Sequence, residues 1–188
     1  MSDRFQPITM EQLTDWVFTE LDEHNAIFGI PRQAFFTPSD TDRFRQPNYE
    51  ATLDTPFGVA AGPHTQMAQN IIVAWLVGAR FIELKTVQTL DELDVNKPCI
   101  DLEDEGYNVE WSQELKVYQS FDEYLRAWVR IHALHKKLGF PGDAPGMIFN
   151  MSVGYNLEGI LKPNVQWYLD VMNDSSEYLG TYVDIVAE

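Results

Sequence analysis

Apolar residues recur at helical spacing in several stretches of the chain, with short β-rich runs between them. Thr9-Met10-Glu11-Gln12 has the form of a capping box, and Leu13, Trp16, Val17 and Leu21 follow on one face. That spacing predicts an amphipathic helix over 10–24. Residues 25–50 carry Pro31, Pro38 and Pro47 and read as an extended or looped lead-in. "PFGVAAG" then reads as a short buried strand. Met67, Ile71, Ala74 and Trp75 predict a helix over 65–77, with Gly78 as its C-terminal stop. "RFIELKTV", 80–87, is the clearest strand. A second box, Ser120-Phe121-Asp122-Glu123, opens a helix that carries Phe121, Tyr124, Leu125, Trp128, Ile131 and Leu138 to Gly139. "GMIFNMSV", 146–153, is a third strand, and Pro163 occupies a favourable first position of another helix.

Strand and helix alternate, which implies right-handed crossovers and a parallel sheet. An open α/β sheet and part of a (β/α)8 barrel both satisfy the pattern. The runs supply only about three strands, whereas a closed barrel takes about 250 residues.

Composition narrows the function. At 188 residues and 45% hydrophobic, the chain has apolar mass for one core. Its net charge of −16 argues against nucleic acid, because phosphate contacts need clustered Lys and Arg. The acids Asp91, Glu92, Asp94, Asp101, Glu103, Asp104, Glu105 and Glu110 face only Lys97 in their stretch, which reads mostly as a solvated loop. No apolar run is long enough to span a membrane, and the N-terminus has no secretion-signal pattern. The single cysteine, Cys99, leaves no internal disulfide and no iron–sulfur cluster held by this chain alone; it fits a cytoplasmic setting.

Candidate chemistry gathers near the strand ends. Strict alternation in "RFIELKTV" puts Phe81, Glu83, Lys85 and Val87 on one face and Ile82, Leu84 and Thr86 on the other. Burying Glu83 and Lys85 together is costly unless they pair with each other or serve a ligand. In "YNVEWSQE", Asn108 and Glu110 could grip a heterocycle with an N–H donor and a C=O acceptor, or form an ordinary polar edge. Asn150, Ser152, Gly154 and Asn156 lie in a loop that could contact a ligand or simply turn the chain. His64 is a lone histidine, no metal cluster is recognisable, and "FGVAAG" lacks the G-x-G-x-x-G dinucleotide pattern.

Taken in order, "PFGVAAG", "ELKTVQ", "YNVE" and "FNMSVGYN" resemble the flavin barrels of the dihydroorotate and dihydropyrimidine dehydrogenase superfamily. "IFGIP", "AAGPHTQ", "AQNI", "RFIELKTVQ", "KPCID" and "IFNMSVGYNLEGI" are more closely similar to the N-terminal part of the putative selenate reductase subunit family. The resemblance implies a (β/α)8 TIM barrel of the dihydroorotate dehydrogenase type with only its N-terminal half present. Residues 1–50 would form the helix and lead-in, and 51–188 the first β/α units.

By the same resemblance, FMN would lie against the backbone of Ala60, Ala61 and Gly62, with Lys85, Thr86 and Asn150 also binding it. Asn108, Glu110 and Asn156 would hold the substrate. The family's catalytic acid/base and phosphate-binding loops have no counterpart here, so the chain alone is expected to be inactive and to contribute no catalytic residue. FAD and iron–sulfur clusters would sit in other domains, and the partners would be a small acceptor and further redox domains or subunits. Two rivals stand: a non-catalytic docking or electron-transfer module on the same barrel, and an aldolase-type lyase with a Schiff base on Lys85.

Overall fold

The computed structural model describes residues 7–49, 51–90 and 115–187. The first helix, α1 (Met10–His24), has the predicted bounds. Thr9 and Gln12 cap it reciprocally, Thr9 Oγ1 accepting from the Gln12 N–H at 3.2 Å and Gln12 Oε1 from the Thr9 N–H at 3.3 Å. Asn25 ends it in the left-handed region at φ 51°. Met10, Leu13, Val17 and Leu21 are buried. Trp16, expected on that face, is 47% exposed and packs edge-on against Phe28 instead.

The lead-in is more ordered than its prolines suggest. Strands β1 (Ala26–Ile27) and β2 (Ile30–Pro31) form one antiparallel hairpin, and β3 (Gln46–Asn48) and β4 (Ala51–Leu53) form another. The first turn takes positive φ at Phe28 and Gly29. The Glu20 carboxylate of α1 holds it by accepting both N–H groups, at 2.7 and 2.6 Å.

Strands β5 (Gly58–Val59), β6 (Phe81–Glu83) and β7 (Ile148–Asn150) make a parallel sheet in that order. Helix α2 (Ala68–Leu76) joins the first two and α3 (Val117–Leu138) precedes the third. After β7 come α4 (Leu157–Ile160), α5 (Pro163–Asn173) and α6 (Ser176–Ala187), the last not foreseen. Against the expected half-barrel, the described residues hold three parallel strands with their helices, beside two small antiparallel sheets and without a closed barrel. Leu13, Val17, Ile71, Trp75, Ile82, Leu84, Ile131 and Leu134 lie in one core shared by α1, α2, α3 and the sheet.

Helix α3 starts earlier than the box at Ser120 predicts. Lys116 precedes its first turn, and the Lys116 N–H donates to Gln119 Oε1 at 2.9 Å. Glu123, expected to close a local box, reaches across to α2 and accepts from the Ala68 N–H at 2.8 Å. Met67, which precedes α2, offers no side-chain cap, so a carboxylate on α3 supplies one. Gly139 ends α3 in the left-handed region, as predicted.

A buried cation fixes the sheet at its N-terminal end. Arg80 is fully buried, and its Nη1 donates to the carbonyls of Trp75 at 2.6 Å and Ala79 at 3.0 Å. Its Nε lies 3.5 Å from Asp54, which also pairs with Arg45 at 3.3 Å. The rings of Trp75 and Phe36 lie 5.1 and 5.2 Å from the guanidinium carbon. Burial lowers the Arg80 pKa to about 10 against the pull of Asp54. It raises that of Asp54, with Arg80 and Arg45 opposing.

Two outcomes follow. Arg80→Ala strips the buried Asp54 carboxylate of its buried partner, leaving only the half-buried Arg45, and opens a void, so urea unfolding should show a loss of about 3–5 kcal/mol. The second concerns pH. Burial raises the Glu123 carboxyl above its ordinary value, with the Ala68 N–H and Arg126 opposing. The native chain therefore holds more protons than the unfolded chain just above the ordinary carboxylate range, and this contribution to stability is lost as pH rises through it. Glu123→Gln should make the urea midpoint less dependent on pH across that range, whereas Glu123→Ala should cost about 1–3 kcal/mol by orphaning the Ala68 N–H.

Candidate functional site

The sheet has a helix-covered face and an open one. Ile82 and Leu84 are buried in the core, and Phe149 meets Trp128 of α3 edge-on at 5.1 Å. The opposite parity belongs to Phe81 and Glu83 of β6 and to Ile148 and Asn150 of β7, paired Phe81↔Ile148 and Glu83↔Asn150. The first of these rows is apolar and the second is polar. In the polar row Asn150 Nδ2 donates to Glu83 Oε2 at 2.5 Å.

Alternation does not continue to Val87. The Leu84 N–H bonds to the Asn150 carbonyl, and the Val87 N–H to the Ser152 carbonyl. Three residues of the first strand thus advance past two of the second, which is a β-bulge. The extra residue reverses the phase. Val87, expected beside Glu83, is buried in the core, while Thr86, expected on the helix side, shares a 2.9 Å hydrogen bond with Ser152. A second polar row thus follows the first on the open face. Strict period-two reasoning could not see this, although the spacing of Asn150 and Ser152 in "FNMS" carries the signal for one half of each row.

Lys85 sits within the bulge and is 3% exposed. Its Nζ lies 3.4 Å from the Thr86 carbonyl, its N–H donates to the Thr65 carbonyl at 3.3 Å, and its carbonyl accepts from Tyr124 Oη at 2.9 Å. Helix α3 and the turn after β5 therefore hold the backbone of this lysine from two directions.

The small residues after β5 divide into two groups. A Cβ at Gly58 would lie 1.6 Å from the Phe81 carbonyl oxygen, and one at Gly62 would lie 2.8 Å from the His64 ring. Gly62 also donates to Thr65 Oγ1 at 3.1 Å and accepts from the Thr65 N–H at 2.9 Å. These two glycines answer to packing and to a turn. Ala60 and Ala61 are left, exposed and half-buried respectively, as the backbone a flat ligand could approach. Asn156 is exposed, and its Oδ1 caps α4 by accepting from the Gly159 N–H at 2.9 Å. Asn108 and Glu110 lie outside the described residues, as do Cys99 and the whole acidic run.

A cleft of about 480 Å³ opens on this face, walled by Gln46, Asn48 and Leu53 of the second hairpin, by Gly58, Phe81 and Glu83 of the sheet and by Ala60 just after β5. A second cavity, about 400 Å³, lies against α3 and is lined by apolar groups such as Phe121, Trp128, Met147 and Leu179, with no ionisable carboxylate or amine. Of these two, the open-face cleft alone carries a carboxylate of the sheet. No group of three or more histidine, cysteine or acidic residues able to hold a metal occurs among the described residues.

Residues 28–185 match the family model described as "Oxidoreductase YgfK, N-terminal TIM-barrel domain". The chain is 48% identical over 178 residues to the protein called "Putative oxidoreductase YgfK" in Escherichia coli strain K12, and equally so to its namesake in Escherichia coli O157:H7. Each match covers 95% of this chain and 17% of the relative, so the chain spans about a sixth of the length of these relatives. No solved structure matches the chain.

The packing at Gly58 is open to test. Gly58→Ala drives a methyl group into the backbone of the neighbouring strand, and it should lower stability by about 1–3 kcal/mol in thermal unfolding.

Proposed function

The chain belongs to the family of the oxidoreductase YgfK N-terminal TIM-barrel domain, and from that premise we propose that it is the flavin-holding part of a multi-domain oxidoreductase. The observation that supports this reading best is the pair of polar rows at the strand ends, Glu83–Asn150 and Thr86–Ser152, next to a buried lysine and the bare backbone of Ala60 and Ala61. An amide, a hydroxyl and an ammonium are the donors and acceptors that suit the polar edge of an isoalloxazine ring. The donor set therefore fits FMN.

In this reading the backbone of Ala60 and Ala61 lies under the ring, and Gly62 serves by keeping the following turn tight. Lys85 sets a positive charge beside the ring, and burial against α3 and the Thr65 turn keeps water from screening it. Thr86 and Asn150 orient the ring through hydrogen bonds. FMN would supply hydride or electron transfer to a small acceptor or nitrogen heterocycle, for which Asn108, Glu110 and Asn156 are the proposed contacts. The rest of the barrel, with its acid/base residue and phosphate-binding loops, would come from the larger protein. This makes the chain the N-terminal half of its barrel and inactive alone.

FAD, iron–sulfur clusters and partner redox domains or subunits belong to that larger protein, in a cytoplasmic setting like that of the selenate reductase-type subunits the sequence resembles. No helix among the described residues is long and apolar enough to cross a membrane.

The test uses the complete polypeptide that carries this domain. It should purify with the visible absorbance of oxidised flavin. Lys85→Ala should weaken FMN retention by about tenfold to a hundredfold, the scale of one charge-assisted contact. Asn108→Ala and Glu110→Ala should keep the flavin and lose turnover of a reducible heterocycle. Equal flavin loss in all three variants would overturn the assignment of roles. Flavin without turnover of any acceptor would favour the docking or electron-transfer module instead.

A further inference from the structure

A side-chain amide offers a donor and an acceptor, and which of them meets a ligand depends on what holds the other. On the open face that choice is made for Asn150. Its backbone carbonyl is taken by the Leu84 N–H at 2.9 Å, and its Nδ2 by Glu83 Oε2. An ionised carboxylate can only accept, so the atom of Asn150 turned toward Glu83 must be the NH2. Among the described residues, Asn150 Oδ1 takes no hydrogen bond. Both side chains are half-buried, and Glu83 also lines the open-face cleft.

We propose that Glu83 is a positioning residue that locks the Asn150 amide so that its carbonyl oxygen, and not its NH2, is presented to a ligand on the open face. The ligand class follows: a planar ring that offers an N–H donor at that point, such as the imide edge of a flavin or a pyrimidine, in preference to a ring offering only acceptors. A ring with only acceptors would meet an oxygen held in place and leave two acceptors opposed. The ring's identity as FMN rests on the reading above; the locking of Asn150 does not.

Two measurements separate those claims. In the 188-residue chain, side-chain amide NMR should show Asn150 with two well-separated Nδ2 proton resonances that exchange slowly with water. Glu83→Ala should narrow their separation to that of a free amide and speed the exchange with water, and Glu83→Gln, which can donate or accept, should give an intermediate pattern. Circular dichroism establishes that each variant is folded. In the complete polypeptide, Glu83→Ala should weaken FMN binding by about tenfold, the scale of one misplaced hydrogen bond. In an Asn150→Ala background the same substitution should change FMN affinity by less than about twofold, because an orienting role acts only through the amide. Asn150 resonances indifferent to Glu83→Ala, or an equal loss of affinity in both backgrounds, would overturn the proposal. If the wild-type polypeptide takes no FMN while the Asn150 amide still responds to Glu83→Ala, the locking stands and the flavin reading falls.

Discussion

The buried guanidinium of Arg80 is the constraint from which the sheet takes its alignment. It draws together the Trp75 carbonyl near the end of α2, the Ala79 carbonyl just before β6 and the Asp54 carboxylate ahead of β5. Asp54 then reaches the lead into β7, because its N–H donates to the Gly146 carbonyl at 2.9 Å. Gly146 takes φ 61°, and a Cβ there would lie 2.0 Å from the Asp54 carboxylate. The three parallel strands are thus set in register at one end by a charge, two peptide groups and a missing side chain. The rows that carry the candidate chemistry, at the other end, inherit that register. A slip of one residue would turn Glu83 and Asn150 toward the core.

The ends of helices were legible because their chemistry is local. Thr9 with Gln12, Gly139 and Pro163 each act within a turn or so of where they stand. The box at Ser120 misled because a carboxylate at the right spacing can serve another element, and Glu123 caps α2 across 55 residues. Chain order and strand direction were readable from the alternation of elements, but the bulge after Leu84 was not. One inserted residue leaves no mark in composition and is felt only through the partner strand. The role of Arg80 is hidden for a related reason: an arginine beginning a strand looks exposed until the carbonyls and rings around it are in place.

The candidate site was legible in its residue types and less so in their relations. Lys85, Thr86 and Asn150 stand out in the sequence, yet nothing in it pairs Asn150 with Glu83 or Thr86 with Ser152. Two of the three small residues singled out after β5, Ala60 and Ala61, remain open to a ligand, while Gly62 is engaged in its own turn. Smallness alone does not separate room for a ligand from room for the chain itself.

The cap that Glu123 places on α2 also bears on the order in which the chain folds. Helix α2 is 9 residues long and has no cap of its own, a length at which an isolated helix is marginal in water. Closing the span between Ala68 and Glu123 costs about 3.5 kcal/mol of chain entropy before the bond forms. The long, self-capped α3 is the better nucleus, and α2 gains its last stabilisation by docking on it. Strand β6, held between the two in sequence, is then brought to the sheet by a collision of helices, so its pairing belongs to the late, non-local part of the folding barrier.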